Sequence, residues 1–261
     1  MRVLTINLRF ENEADGSNNW PYRREMVARV INEFAPHLLG TQEGFRPQSA
    51  DLASLIPKYH LCDEHRYWDP ERMYPCIFYD PEEIAIEESG DFWLSETPHV
   101  HGSSSWGSSR PRLATYARCR LVQAEKAFFF CDTHFDNVSA EARKRGALVL
   151  IEQLEIINRD KLPLIVVGDF NGPPSSPEHA ILTGKKTLDG KKGKLRDAWQ
   201  VLGYPEEGAE TYHAFQGRGV SRIDWILVSS EIEVEEVLIL HHTFGGRYPS
   251  DHFPVGAVLS L

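Results

Sequence analysis

The 261-residue sequence predicts one layered α/β domain spanning residues 1–261, on three observations. Segments with the period of a strand and segments with the period of a helix are interspersed along the whole chain, as in layered α/β folds. No linker divides the chain, and no internal repeat of fixed period is present. The length is sufficient to bury a large core without disulfide or metal staples.

Taken in order, RVLTINL alternates as a strand. PYRREMVARVINEF places Met26, Val27, Val30, Ile31 and Phe34 at helical spacing behind Pro21. HLLGTQEG is a strand ending in Gln42 and Glu43, and QSADLASLI a second helix. From about residue 59 to 134 the pattern turns to strands: CIFYDP, IAIEESGDFWL, TYARCRLV and AFFFCDTH, separated by turn residues. SAEARKRGALVLIEQLEIINR is the longest helix. LPLIVVGDFN, SRIDWILVS, IEVEEVLILHH and FPVGAVLSL complete the strands.

Composition narrows the function classes. A net charge of −10 provides no global field drawing the protein onto nucleic acid. The basic clusters RKR at 143–145 and KK at 185–186 and 191–192 are expected as solvated faces. Cys62, Cys76, Cys119 and Cys131 lie far apart without metal-binding spacing, so buried free thiols are expected. No apolar run approaches the ~18 residues of a membrane helix. MRVLTINLRF enters a strand pattern at once, without a signal-peptide pattern, so a cytoplasmic location is expected. A monomer is expected as well.

The chemistry sits at strand ends, where loops on a rigid scaffold carry function. Asn7 ends the first strand, Glu43 the second, His134 closes AFFFCDTH, and Asp169 and Asn171 close LPLIVVGDFN. Asp224 lies in SRIDWI, and Asp251 and His252 in PSDHFPV. Each alone has an ordinary structural explanation, as a cap, a turn or a solvated carboxylate. Together they form a set of hard oxygen donors, amides and imidazoles with no thiolate, which suits Mg²⁺.

The ordered series TINLR, TQEG, DTHFD, VVGDFN, SRIDWI and PSDHFPV resembles the endonuclease/exonuclease/phosphatase superfamily of DNase I-like phosphoesterases. The resemblance covers essentially the whole chain. It implies a four-layer α/β/β/α sandwich with two central, mostly antiparallel sheets. It implies Mg²⁺, with Mn²⁺ or Ca²⁺ as substitutes, held by Glu43, Asn7 and Asp251. Asp169 and Asn171 would activate water and hold the phosphate, and His134 and His252 would be the catalytic imidazoles, with Asp224 orienting His252. Arg9 stands where some nucleases of the superfamily carry an acid, and is expected to contact substrate.

The Ser/Gly-rich stretch HGSSSWGSSRPRLATY offers Trp106, Arg110 and Arg112 as a substrate loop, or an ordinary surface turn. SNNWPYRRE offers a second wall, or simple helix capping. The pairing of FWLSETP with WPYRRE resembles a group of mostly uncharacterised bacterial members. Three readings follow: a phosphoesterase acting on a small phosphorylated molecule or lipid headgroup, which the acidic balance favours; a nuclease on DNA or RNA; and a non-catalytic binding module, which the intact set of acids, bases and ligands argues against.

Overall fold

The computed structural model describes residues 1–261. Its elements are β1 (Arg2–Asn7), α1 (Arg24–Phe34), β2 (Leu38–Gly44), α2 (Arg46–Leu55), β3 (His60–Leu61), β4 (Tyr74–Tyr79), β5 (Ile84–Trp93), β6 (Leu113–Leu121) and β7 (Ala127–His134). There follow α3 (Ala140–Ile157), β8 (Leu164–Asp169), α4 (Pro177–Leu182), β9 (Arg196–Asp197), α5 (Ala198–Val201), β10 (Asp224–Val228), β11 (Glu233–Ile239) and β12 (Val255–Ser260). Twelve strands form two six-stranded sheets, ordered β11-β12-β1-β2-β4-β3 and β5-β6-β7-β8-β10-β9. Only β1–β2 and β7–β8 pair in parallel; every other pairing is antiparallel.

Residue alternation explains the layering. Val3, Leu38, Ile77, Phe130, Ile165 and Ile226 face one core between the sheets. Their immediate successors Leu4, Leu39 and Phe78 face a second core with Val27, Ile31 and Phe34 of α1 and Leu52 of α2. Cys131, Val166 and Leu227 face a third, with Leu150 and Leu154 of α3 and Ile181 of α4. Because both faces of the central strands are covered, they read as nearly unbroken apolar runs. Three cores make four layers, α/β/β/α, the expected sandwich. The sheets approach closely at Gly40, where a Cβ would stand 2.6 Å from Val167 Cγ2 on the other sheet.

The long elements match expectation, with one shift at the first helix. It starts at Arg24, because Trp20–Tyr22 form a 3₁₀ turn whose first amide is capped by Asn19. The four cysteines are buried and free. Arg145 pairs with Glu141 and Asp189, and Lys191 with Glu152, as solvated faces do. Arg143 is different: it bridges α3 to Glu178 of α4 at 3.1 Å. No helix is long and apolar enough to cross a membrane.

Arg66 is a buried cation that ties the loop after β3 to the second sheet. It donates to Asp91 Oδ1 at 2.7 Å, Asp91 Oδ2 at 2.8 Å and Thr115 Oγ1 at 2.6 Å. Burial pushes the Asp91 carboxyl up, but Arg66 and His65 outweigh it and hold it well below the carboxylate range. A depressed carboxyl stabilises the fold fully above its unfolded value of 3.8, and the contribution is lost as pH falls through the lower native value. Asp91→Asn is therefore expected to cost about 3–5 kcal/mol at neutral pH, since Arg66 is left uncompensated. Urea unfolding should also show a shallower loss of stability below pH 4 than in the wild type. An unchanged midpoint would exclude this pair as a stabilising element.

Candidate active site

Strand register builds the site. In the second sheet His134, Asp169 and Asp224 are direct neighbours across β7, β8 and β10. In the first sheet Asn7 lies opposite Gln42, one residue before Glu43. A register irregularity between Thr41 and Gly44 and a left-handed backbone at Glu43 (φ 66°) re-aim that carboxylate. Phe10 N donates to Glu43 Oε2 at 3.1 Å and fixes it.

GDFN closes the strand on the opposite sheet. Gly168 has φ 144°, and a Cβ there would lie 2.0 Å from Thr133 O, so no other residue fits. Phe170 is fully buried and stacks on Trp225 with centroids 4.4 Å apart, which anchors the turn. Its two neighbours are thereby presented to the cleft. Asp169 Oδ2 accepts from Asn7 Nδ2 at 2.9 Å, and Asp169 Oδ1 from Asn171 N at 2.9 Å. Asn171 Nδ2 donates to Phe135 O at 3.0 Å.

The two imidazoles flank Asp169. His134 Nε2 lies 3.0 Å from Asn171 Nδ2, 3.3 Å from Asp169 Oδ2 and 4.0 Å from Glu43 Oε1. When protonated, that nitrogen donates to the carboxylate; when neutral, it accepts from the amide. His252 Nε2 stands 4.0 Å from Asp169 Oδ2, and its Nδ1 lies 2.8 Å from Asp224 Oδ2. Thr211 Oγ1 also donates to Asp224 Oδ2, at 2.5 Å. Ser250 Oγ donates to Asn7 O at 2.5 Å, tying the SDH segment to β1.

Electrostatics follow from this packing. Burial opposes the charge on Asp169, but His134 and His252 hold its carboxyl far below the ordinary range. Burial also opposes charge on His252, yet Asp224, Asp169 and Asp251 raise it well above its usual value. Burial pushes Asp224 upward too, so the pair keeps its shared proton tightly. Burial raises Asp251, and the negative charge of Glu43 adds to the effect. Donor atoms of Glu43, His134 and Asp169 lie within 4.8 Å of one another. Hard donors, and a second carboxylate at Asp251 raised by burial and by the charge of Glu43, fit a divalent cation at Glu43.

A cavity of about 70 Å³ opens beside Glu43 and His134, walled by Arg72, Arg110, Arg112 and Tyr74. Arg110 is exposed. Arg112 is buried, with Nη1 3.1 Å from His134 Nδ1 and Nη2 donating to Asn137 Oδ1 at 2.9 Å. Asp136 braces this wall: it accepts from Ser109 N and Oγ and from the amides of Val138 and Ser139. Those bonds overcome its burial and hold its carboxyl at about 2.

The candidates thus fall into two groups. Asn7, Glu43, His134, Asp169, Asn171, Asp224, Asp251 and His252 share one cleft. Arg9 borders it, paired to Asp15 at 2.9 Å. Trp106 differs from expectation: its side chain packs against the α3 core and its carbonyl accepts from Ser139 Oγ, so it does not line the pocket. Trp20 and Trp93 are buried and form no open wall. Arg72, Asp136 and Thr211 lie in loops and escaped sequence reasoning.

The family model described as Endonuclease/Exonuclease/phosphatase family matches residues 4–252. Among solved structures, a mannosyl-6-phosphatase from Bacteroides thetaiotaomicron is 28% identical, with TM-score 0.89 and 100% of both chains covered. An endonuclease/exonuclease/phosphatase family protein from the same organism is 28% identical, with TM-score 0.88, covering 99% of this chain and 97% of that one. D. rerio TDP2 complexed with a single-strand DNA product shares the fold at 16% identity, with TM-score 0.73 and 100% and 99% covered. No curated protein sequence matches the chain.

Proposed function

The chain belongs to the endonuclease/exonuclease/phosphatase family, and from that premise we propose that it is a Mg²⁺-dependent phosphoesterase acting on a small phosphorylated molecule, a sugar phosphate being the favoured class. One observation carries the choice of substrate: the compact pocket beside Glu43 and His134, with Arg72, Arg110 and Arg112 in its wall. Arginines in the wall of a small pocket suit a compact anionic ligand. The net charge of −10 and the likeness to a mannosyl-6-phosphatase support the same reading.

In this reading Glu43, with Asp251 nearby, holds the cation, which supplies polarisation of the phosphoryl group and charge relief at the leaving oxygen when bound. Asp169, kept ionised by its two imidazoles, accepts a proton from the attacking water. Asn7 and the backbone of Asn171 hold that carboxylate in line. Asn171 Nδ2 and His134 donate to non-bridging oxygens. His252, protonated by its pairing with Asp224, donates where negative charge develops. Arg112 faces His134, and Arg72 and Arg110 hold the organic part of the substrate.

The test compares a sugar 6-phosphate, a minimal phosphodiester, and single- and double-stranded oligonucleotides under the same Mg²⁺ concentration. The sugar phosphate should have the highest kcat/KM. Joint replacement of Arg72 and Arg110 by Ala should raise KM for it about tenfold or more while the minimal diester changes little, because remote binding alone is lost. Preferred cleavage of long nucleic acid with a steep salt dependence would replace this reading with the nuclease one.

A further inference from the structure

The WPYRRE segment forms no substrate wall, yet it contributes one of the largest fully buried side chains in the protein. Arg23 is 1% exposed. Its guanidinium donates to four main-chain carbonyls: Asn18 at 2.8 Å, Pro249 at 3.0 Å, Leu8 and Arg9. Trp20 and Phe215 lie beside it, with guanidinium-to-ring distances of 5.2 and 5.7 Å. None of its hydrogen bonds goes to a carboxylate. A charge this deep is costly unless several oriented dipoles repay it, and a planar guanidinium can reach carbonyls on different segments where an ammonium cannot.

The segments it joins are specific. Leu8 and Arg9 form the exit of β1, where Arg9 adopts a left-handed backbone (φ 53°). Arg9 N donates to Asn7 Oδ1, and Phe10 N to Glu43 Oε2. Pro249 lies two residues before Asp251, and Ser250 Oγ bonds back to Asn7 O. One side chain therefore joins the β1 exit loop, whose Phe10 N holds the Glu43 carboxylate, to the turn that carries Asp251. Burial lowers the Arg23 pKa to about 10, with Asp251, Asp15 and Glu43 opposing the shift, so the cation persists at neutral pH.

We propose that Arg23 is a positioning residue for the divalent-cation site, locking the β1 exit loop and the Pro249–Asp251 turn in the arrangement that binds metal. The inference rests on the reading of Glu43 and Asp251 as cation ligands. Its test is Mn²⁺ binding by calorimetry to wild type and Arg23→Lys, with hydrogen exchange followed at the amides of Arg9, Phe10 and His252. Lysine keeps the charge and loses the fork, so the folded variant should bind Mn²⁺ about 10–100-fold more weakly. Those amides should also exchange faster, while α3 and β8 remain protected. A folded Arg23→Lys variant with wild-type affinity would overturn the proposal. Should the variant fail to fold, the wild type still decides. Mn²⁺ must slow exchange in both loops together, and protection of one loop alone would overturn the coupling. A wild type that binds no Mn²⁺ would instead refute the metal reading on which the inference stands.

Discussion

Glu43→Gln is expected to lower phosphoester hydrolysis about 10²–10³-fold at ordinary Mg²⁺ concentration, the usual consequence of losing one electrostatic partner of a transition state. The exchange preserves shape, and the carboxamide oxygen still accepts from Phe10 N. What disappears is the charge facing His134 at 4.0 Å and raising Asp251. The variant should therefore fold as the wild type does and require much more Mg²⁺ for half-activation. Asp251 should also lose part of the upward push on its carboxyl. Wild-type metal dependence in Glu43→Gln would remove Glu43 from the cation site.

The second large effect concerns the imidazoles. His134→Ala and His252→Ala should each lose about 10²–10³ in kcat with little change in melting temperature. Their partners differ, so the supporting variants should differ as well. His252 is held by Asp224, itself held by Thr211, and Asp224→Asn should approach the effect of losing the imidazole because Nδ1 loses its ionic acceptor. His134 instead meets Asn171 and Arg112. The double His→Ala variant should be much less impaired than the product of the two single losses, since both groups act on one transition state. A single variant with wild-type kcat would exclude its histidine from the reaction.

Much of this arrangement is legible in the sequence for a physical reason. Asn7, Glu43, His134, Asp169 and Asp224 stand at ends of apolar strands, and the end of a buried strand is a place that chemistry and pattern mark together. GDFN shows this best: the glycine is forced by contact with Thr133 O, the phenylalanine by stacking on Trp225, and the acid and amide are left to the cleft. The two-residue strands β3 and β9 and the short α4 and α5 are too brief to carry a period. Trp106 misled because an aromatic residue in a Ser/Gly loop looks exposed, whereas capping of α3 by Ser139 folds that loop down onto a core. Arg72 lies in a polar loop and Arg23 at the start of the first helical pattern, and nothing in either stretch distinguishes a pocket wall or a buried hub from a solvated side chain. Only tertiary structure places Arg23 between Leu8 and Pro249.

Metal-assisted hydrolysis of a small phosphoester in this cleft is tested by release of inorganic phosphate from a sugar 6-phosphate by the wild-type protein, measured with Mg²⁺, after chelation, and after Mg²⁺ is restored. Turnover with Mg²⁺, its loss on chelation and its recovery on restoration are expected, with no recovery in Glu43→Gln at the same Mg²⁺ concentration. Undiminished phosphate release in chelator, or none under any of the three conditions, would contradict it.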